Sequence, residues 1–313
     1  MPDKITSRFG NSVLLSTIFV AFLTVFFVGL SLYALSMMVV SGTIALVASL
    51  ALLIYAALWI VTVRYFLGEA PRVTIDRRGV WYRALFARSG FHWEDVVKIN
   101  LLTTESHHFE QAEATTFKLK SKQKFVIWVE LYTNGAALRQ VVDQAQELLH
   151  AGKTIGPNLQ FEPVFRNIEV DFIDTNEPEV FAGNHVFSIR GIGFYGINLM
   201  LIYLSIKDGN VDAYILIAHA FSWVFGYEFY YFQMTKDYFI VKHHLFFWYQ
   251  KIIPLSEIRE CVFYQKFRRA NALRVILKDF RSFRFPAGSL SELHWHNLRK
   301  ALKHSNIPLR GSF

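Results

Sequence analysis

Lys266, Arg268, Arg269, Arg274, Arg281 and Arg284 crowd one short stretch near the end of a 313-residue chain. Ammonium and guanidinium groups in such number suit the recognition of phosphate or carboxylate, with arginine able to grip two oxygens at once. Residues 236–313 hold 15 Lys and Arg against 5 Asp and Glu. Residues 64–150 hold 12 against 10, and residues 151–190 hold 3 against 6. The net charge of +8 is therefore carried by the final module. Beside an anionic leaflet each basic side chain contributes about 1 kcal/mol, so these six are the candidate lipid- or partner-binding residues. The plainer account of the same excess is a solvated cytoplasmic surface that follows the positive-inside rule. Nucleic acid is not an expected partner, since no RNP-like or helix-turn-helix pattern accompanies the charge.

Arg190 and Glu228 form a second candidate pair, because each falls inside an otherwise apolar stretch. Ionisable groups within a membrane are costly and usually paired. Both would lie on the order of 6–9 Å inside the boundary, and pairing across a helical hairpin is the expectation. Snorkelling of each side chain to the interface is the alternative. His219 is nine residues from Glu228, on the opposite helix face, which argues against a proton relay.

Histidines recur at His107-His108, His243-His244 and His294-Trp295-His296. Adjacent strand residues point to opposite faces, and a tetrahedral ligand set is not legible, so no metal is expected. There is no G-x-S-x-G, Walker loop, H-E-x-x-H or G-x-G-x-x-G. Glu94-Asp95 fits an ordinary turn into a strand. No catalytic residue and no cofactor is expected. The single cysteine, Cys261, rules out an internal disulfide and reads as a small core residue.

These residues must be positioned by a chain that is 53% hydrophobic and only 19% charged, with a mean hydropathy of +0.26. Phe9 to Val63 is a run of 55 residues without Asp, Glu, Lys, Arg or His. A spanning helix takes about 20 residues, so residues 11–65 read as a first transmembrane hairpin. Residues 71–150 alternate in the manner of strands, with Arg77-Arg78-Gly79 and Lys120-Ser121-Lys122-Gln123-Lys124 as turns. They close with Leu138, Val141, Val142, Ala145, Leu148 and Leu149 at helical spacing, after Asn134 as a possible cap. Residues 151–185 are an acidic connector, with a possible strand around 168–173. Residues 187–234 read as a second hairpin, whose helices run from Phe187 to Ile206 and from Ala213 to Met234. Gly191-Ile192-Gly193 would let those helices approach closely. Residues 235–305 repeat the strand pattern, and Ser289-Leu290-Ser291-Glu292 opens a closing helix as a capping box.

Phe91-His92-Trp93-Glu94-Asp95-Val96 and Ile253-Pro254-Leu255-Ser256-Glu257-Ile258 lie 162 positions apart and lead into strands in the same way. On these two phrases the chain resembles the bacterial pleckstrin-homology-like membrane proteins. The resemblance implies a membrane α + β fold: four transmembrane helices in two hairpins, each followed by a bent antiparallel sheet with one C-terminal helix, in tandem duplication. It also implies membrane-anchored binding or scaffolding without catalysis. Phosphoinositide-binding relatives set basic residues around the first hairpin loop. Here that loop has Arg77 and Arg78 in one copy but Lys236 and Asp237 in the other, which speaks against specific inositol-lipid recognition.

The resulting expectation is a multi-pass protein of the bacterial inner membrane with both termini cytoplasmic. It would recruit protein partners or anionic lipid, with homo-oligomers possible. A transporter or channel subunit working through the second hairpin is the alternative; it would need midplane polar residues and broken spans.

Overall fold

The structure is a computed structural model that describes residues 3–9, 71–84, 87–107, 110–167, 178–209, 211, 214–215, 218, 222, 226–264 and 270–311. The chain divides into two compact units, Met1–Val164 and Phe165–Phe313.

In the first unit β1 (Lys4–Thr6), β2 (Arg72–Asp76), β3 (Gly79–Arg83) and β4 (Arg88–His92) form an antiparallel sheet in that order. Strand β2 buries Val73 and Ile75 while its other residues stay partly open, the two-residue period of a half-buried strand. Asp76 builds the following turn. Its Oδ1 accepts from the backbone N–H groups of Arg78 and Gly79, and its Oδ2 from Trp81 Nε1 at 2.9 Å. A 3₁₀ turn at Trp93–Asp95 then breaks the direction of the chain. A second sheet follows, made of β5 (Val96–His107), β6 (Glu110–Leu119) and β7 (Lys124–Trp128), and helix α1 (Gly135–His150) closes the unit. Leu138, Val141, Val142 and Ala145 bury one face of α1.

Asn134 precedes α1 without capping it through its side chain. That amide instead ties down β1: Nδ2 donates to the Thr6 carbonyl at 2.9 Å, and Oδ1 accepts from Arg8 N–H at 2.7 Å.

The second unit has the same element order. Strands β8 (Glu179–Phe181), β9 (Tyr230–Met234), β10 (Tyr238–His243) and β11 (Gln250–Pro254) form one sheet, with each neighbouring pair antiparallel. Helix α2 (Ile189–Asp208) follows β8 and precedes β9 in the chain. After a 3₁₀ turn at Leu255–Glu257 come β12 (Ile258–Tyr264), β13 (Ala272–Leu277) and β14 (Ser282–Pro286). Helix α3 (Glu292–His304) closes the unit, and β15 (Leu309–Arg310) pairs parallel with β12. Ser291 caps α3, accepting from His294 N–H. Trp295, Leu298 and Leu302 from α3 fill a core with Phe232, Phe239, Cys261, Phe263, Leu273 and Val275.

The two units also share individual backbone bonds. Leu119 N–H donates to Gln123 and Lys120 N–H to Asp95; in the second unit Leu277 donates to Arg281 and Lys278 to Glu257. Both hairpins turn through a residue in the left-handed region, Lys122 in one and Phe280 in the other.

The membrane fold of four helices in two hairpins is corrected by this architecture. The described residues form four β-sheets and three α-helices, and one of those helices, over Ile189–Lys207, is long and apolar enough to cross a bilayer. A multi-pass inner-membrane protein with both termini cytoplasmic is overturned on the same ground. The first expected hairpin, residues 11–65, lies within 10–70, outside the described residues. In the second, the expected return helix does not reach Met234. Val211, Tyr214, Ile215, Ala218, Ser222 and Gly226 are helical, but Tyr227 and Glu228 form a turn and Tyr230–Met234 is strand β9. His219 and the possible strand around 168–173 lie outside the described residues.

The sequence begins the β modules at 71 and 235. The structure gives each an earlier first strand, β1 and β8, separated from the second by a long excursion of the chain.

Candidate functional site

Strand β13 is one of the two inner strands of its sheet, and all six of its residues are buried. Leu273, Val275 and Leu277 face the core. Ala272, Arg274 and Ile276 alternate with them and so face the other side. The register sets Val262 of β12 and Arg284 of β14 on either side of Arg274, and Arg310 of β15 beside Val262. One row across the sheet thus reads Arg310, Val262, Arg274, Arg284.

The row is held by local chemistry. The Arg310 Nη2 donates to Glu260 Oε1 at 2.7 Å. The Arg274 guanidinium is 5% exposed as a residue and lies 5.1 Å from the centre of the Tyr264 ring. Arg284 is half-buried, and its Nε finds no hydrogen-bond partner among the described residues. The Tyr227 hydroxyl reaches the Arg284 carbonyl at 3.5 Å. Burial pushes the pKa of that phenol up, and the charges of Arg284 and Arg274 pull it back. Tyr227 therefore stands in the field of both arginines while remaining 48% exposed.

The neighbouring residue, Glu228, forms an ion pair with Arg190 in the first turn of α2. The Glu228 carbonyl accepts from Gly288 N–H at 2.7 Å, just after β14. A Cβ on Gly288 would lie 2.5 Å from Arg190 Cδ, so the glycine makes room for the arginine stem. The pair belongs to a turn and a helix start rather than to two facing helices. With Tyr227 on Arg284 and Glu228 on Arg190, the foot of α2 is fastened to the edge of the arginine-bearing sheet.

Of the six basic residues, the three that the structure describes, Arg274, Arg281 and Arg284, do not gather as one patch. Arg274 and Arg284 stand side by side. Arg281 is engaged elsewhere: its Nε donates to Asp279 Oδ2 at 2.7 Å and its Nη2 to the Arg166 carbonyl at 2.6 Å. Lys266, Arg268 and Arg269 lie in 265–269, outside the described residues. Gly191 has a local task. A Cβ there would be 1.7 Å from the His185 carbonyl oxygen, so it permits the tight turn into α2, whereas a Cβ on Gly193 would meet open space. Ser188 caps that helix start by accepting from Gly191 N–H at 2.9 Å.

Helix α2 carries its apolar side chains outward. Ile189, Ile192, Leu199, Met200, Ile202, Tyr203 and Ile206 are exposed, whereas Phe194 and Leu201 are buried. Asn198 stays within the helix, donating to the Phe194 carbonyl, and receives a hydrogen bond from Ser222. The helix ends at Gly209, whose left-handed backbone (φ 65°) forms the C-cap.

Sequence reasoning missed Tyr227, which it placed within a helix. It also missed a buried ion pair in the first unit, Arg139 Nη1 to Glu113 Oε2 at 2.9 Å, with side chains 2% and 1% exposed. Neither residue has a spacing in the chain that marks the pair. Among the described residues no group of three or more His, Cys, Asp or Glu converges as a metal site would require. His185 and His244 stack at 4.4 Å, and His244 also stacks on Tyr231 at 4.5 Å.

No protein-family model matches the chain, and comparison with curated proteins finds no match.

Proposed function

We propose that this chain is a non-catalytic binding protein held at a lipid bilayer by α2, with half-buried Arg284 on the edge strand β14 engaging anionic groups close to that anchor. The single observation that carries the reading is the exposed apolar surface of α2. At 1.5 Å per residue its 20 residues extend about 30 Å, the thickness of a bilayer's hydrocarbon core. Exposed apolar side chains along such a length are costly in water and favourable in lipid. The foot of the helix is ionic and is fixed beside the edge strand that carries half-buried Arg284, a guanidinium suited to a headgroup phosphate. The resemblance to the bacterial pleckstrin-homology-like membrane proteins supports a recruiting role over a catalytic one.

The test is flotation of the full chain with neutral and anionic vesicles across a salt series, followed by alkaline carbonate extraction. Retention on both vesicle types after extraction, with tighter binding to anionic vesicles at low salt before it, is the expected result. A chain that stays at the bottom of the gradient with every vesicle would overturn the reading.

A further inference from the structure

The hairpin between β10 and β11 ends in His244-Leu245-Phe246-Phe247-Trp248-Tyr249, and Phe247 and Trp248 are 85% and 69% exposed. Two large aromatic side chains at one tip are unusual in water and need a reason. The tip is also stiff. The backbone N–H groups of Leu245 and Phe246 both donate to His243 Nδ1, at 3.1 and 3.0 Å, and Tyr249 N–H donates to the Phe246 carbonyl at 2.7 Å. Trp248 meets Phe247 edge-on at 4.9 Å and Phe246 at 5.6 Å.

This tip is fixed beside the start of α2. The His244 ring stacks on His185, just ahead of the helix, and His185 in turn lies against Tyr195 within it. A Cβ on Gly226 would sit 3.0 Å from Leu245 and 3.8 Å from Phe194, so the hairpin, the helix and the chain entering β9 meet there. Phe187 in the turn before α2 and Ile189 at its first position are 76% and 92% exposed. The foot of the apolar helix therefore carries further exposed apolar side chains around it.

We propose that Phe247 and Trp248 form a second membrane contact, lying in the interfacial layer of the bilayer that holds α2. The proposal rests on the reading of α2 as membrane-embedded. Aromatic rings favour that layer, where an apolar body and a polar edge are both accommodated. A stiff tip loses little conformational freedom on insertion, so its apolar area is converted into binding with little offset. A helical anchor by itself leaves the unit it carries free to swivel about it; a second contact at its foot fixes which face of the unit is turned towards the lipid.

The test uses the full chain with Phe247→Cys, labelled by an environment-sensitive nitrobenzoxadiazole group. Cys261 is buried and does not compete for label in the folded protein. The vesicles are phosphatidylcholine with phosphatidylglycerol, with and without lipids spin-labelled near the headgroup. The expected result is a blue shift of the label on vesicles, quenching by the shallow spin label and protection from aqueous iodide. If the chain floats with the vesicles but the label keeps its aqueous emission and remains open to iodide, the interfacial contact is overturned, and the tip is left as a protein-docking element. If the chain does not float at all, the reading of α2 fails and the proposal falls with it.

Discussion

Arg274 on β13 and Arg284 on β14 stand directly opposite each other in an antiparallel ladder. Like charges in that relationship oppose folding. Arg284→Gln is expected to leave the thermal midpoint of the chain unchanged or slightly higher. The same substitution weakens anionic-vesicle binding and flattens its dependence on salt, read by flotation at several ionic strengths. Unchanged salt dependence would remove Arg284 from the binding face.

The Glu113–Arg139 pair is enclosed by the first unit. Removing one partner of a buried pair strands the other, at a cost of about 3–5 kcal/mol. Glu113→Gln and Arg139→Met should each lower the denaturation midpoint of the chain strongly, and the double variant should recover much of the loss. A double variant as unstable as the sum of the two would show that the residues do not act as a pair.

Burial pushes His243 and His244 down to about 4, with the neighbouring histidines lowering His244 further and the carbonyls of Gly226 and Tyr227 partly opposing the shift at His243. Both rings are therefore neutral in the folded protein at pH 7. In the unfolded chain histidine takes up its proton near pH 6.5. The stability contribution is complete above that value and is lost as pH falls from about 6.5 towards 4. Thermal melts at half-unit steps should show the decline, and His243→Gln with His244→Gln should reduce its slope. Protonation of His243 Nδ1 also removes the acceptor of the Leu245 and Phe246 amides, so hydrogen exchange at those two residues should quicken over the same interval.

Cys261 is fully enclosed, and burial raises its thiol well above the usual range, with Glu260 adding to the effect. Maleimide should leave it unmodified in the folded chain and react promptly in denaturant. Stoichiometric labelling under native conditions would place the thiol outside the core.

Asn134 fastens β1 by two hydrogen bonds of its side chain. Asn134→Ala should cost about 0.5–1.5 kcal/mol, since a partly exposed arrangement loses both a donor and an acceptor to β1 and the residues just after it. Hydrogen exchange should rise first at Lys4–Thr6. Protection that falls evenly over the unit would show that β1 is held by its ladder alone.

The legible parts of the fold were those with a strong local pattern. Val73 and Ile75 alternate as a strand must, and the closing helix α3 was legible too, although its cap is Ser291 rather than the Ser289 of the expected capping box. Other elements carried no such mark. Tyr230–Met234 follows an apolar run without a break, and a short apolar strand has no periodicity to separate it from the end of a helix. Strands β1 and β8 are three residues each, too short for any period, and they exist because partners far along the chain are there to pair with them. The 3₁₀ turn at Trp93–Asp95 divides what reads as one strand from Phe91 to Leu101. At the site, charge alone pointed to Arg274 and Arg284. It also pointed to Arg281, whose commitment to Asp279 and Arg166 depends on tertiary neighbours. Tyr227 and the Phe247–Trp248 tip escaped notice because both lie in apolar stretches that look like interior sequence until a turn exposes them.

Strand β1 also sets an order of events during synthesis. It leaves the ribosome before the strands it joins, and its partner Thr74 follows Thr6 by 68 residues and the amide that locks it, Asn134, by 128. Closing so long a loop carries an entropic cost that the meander of β2, β3 and β4 does not face. Strand β1 is thus made before the rest of its sheet and seated after it, and until it arrives one edge of β2 stands open to any other extended chain nearby. A nascent unit that must wait for a strand made long before is most exposed to mispairing at the time when the greater part of it is already in place.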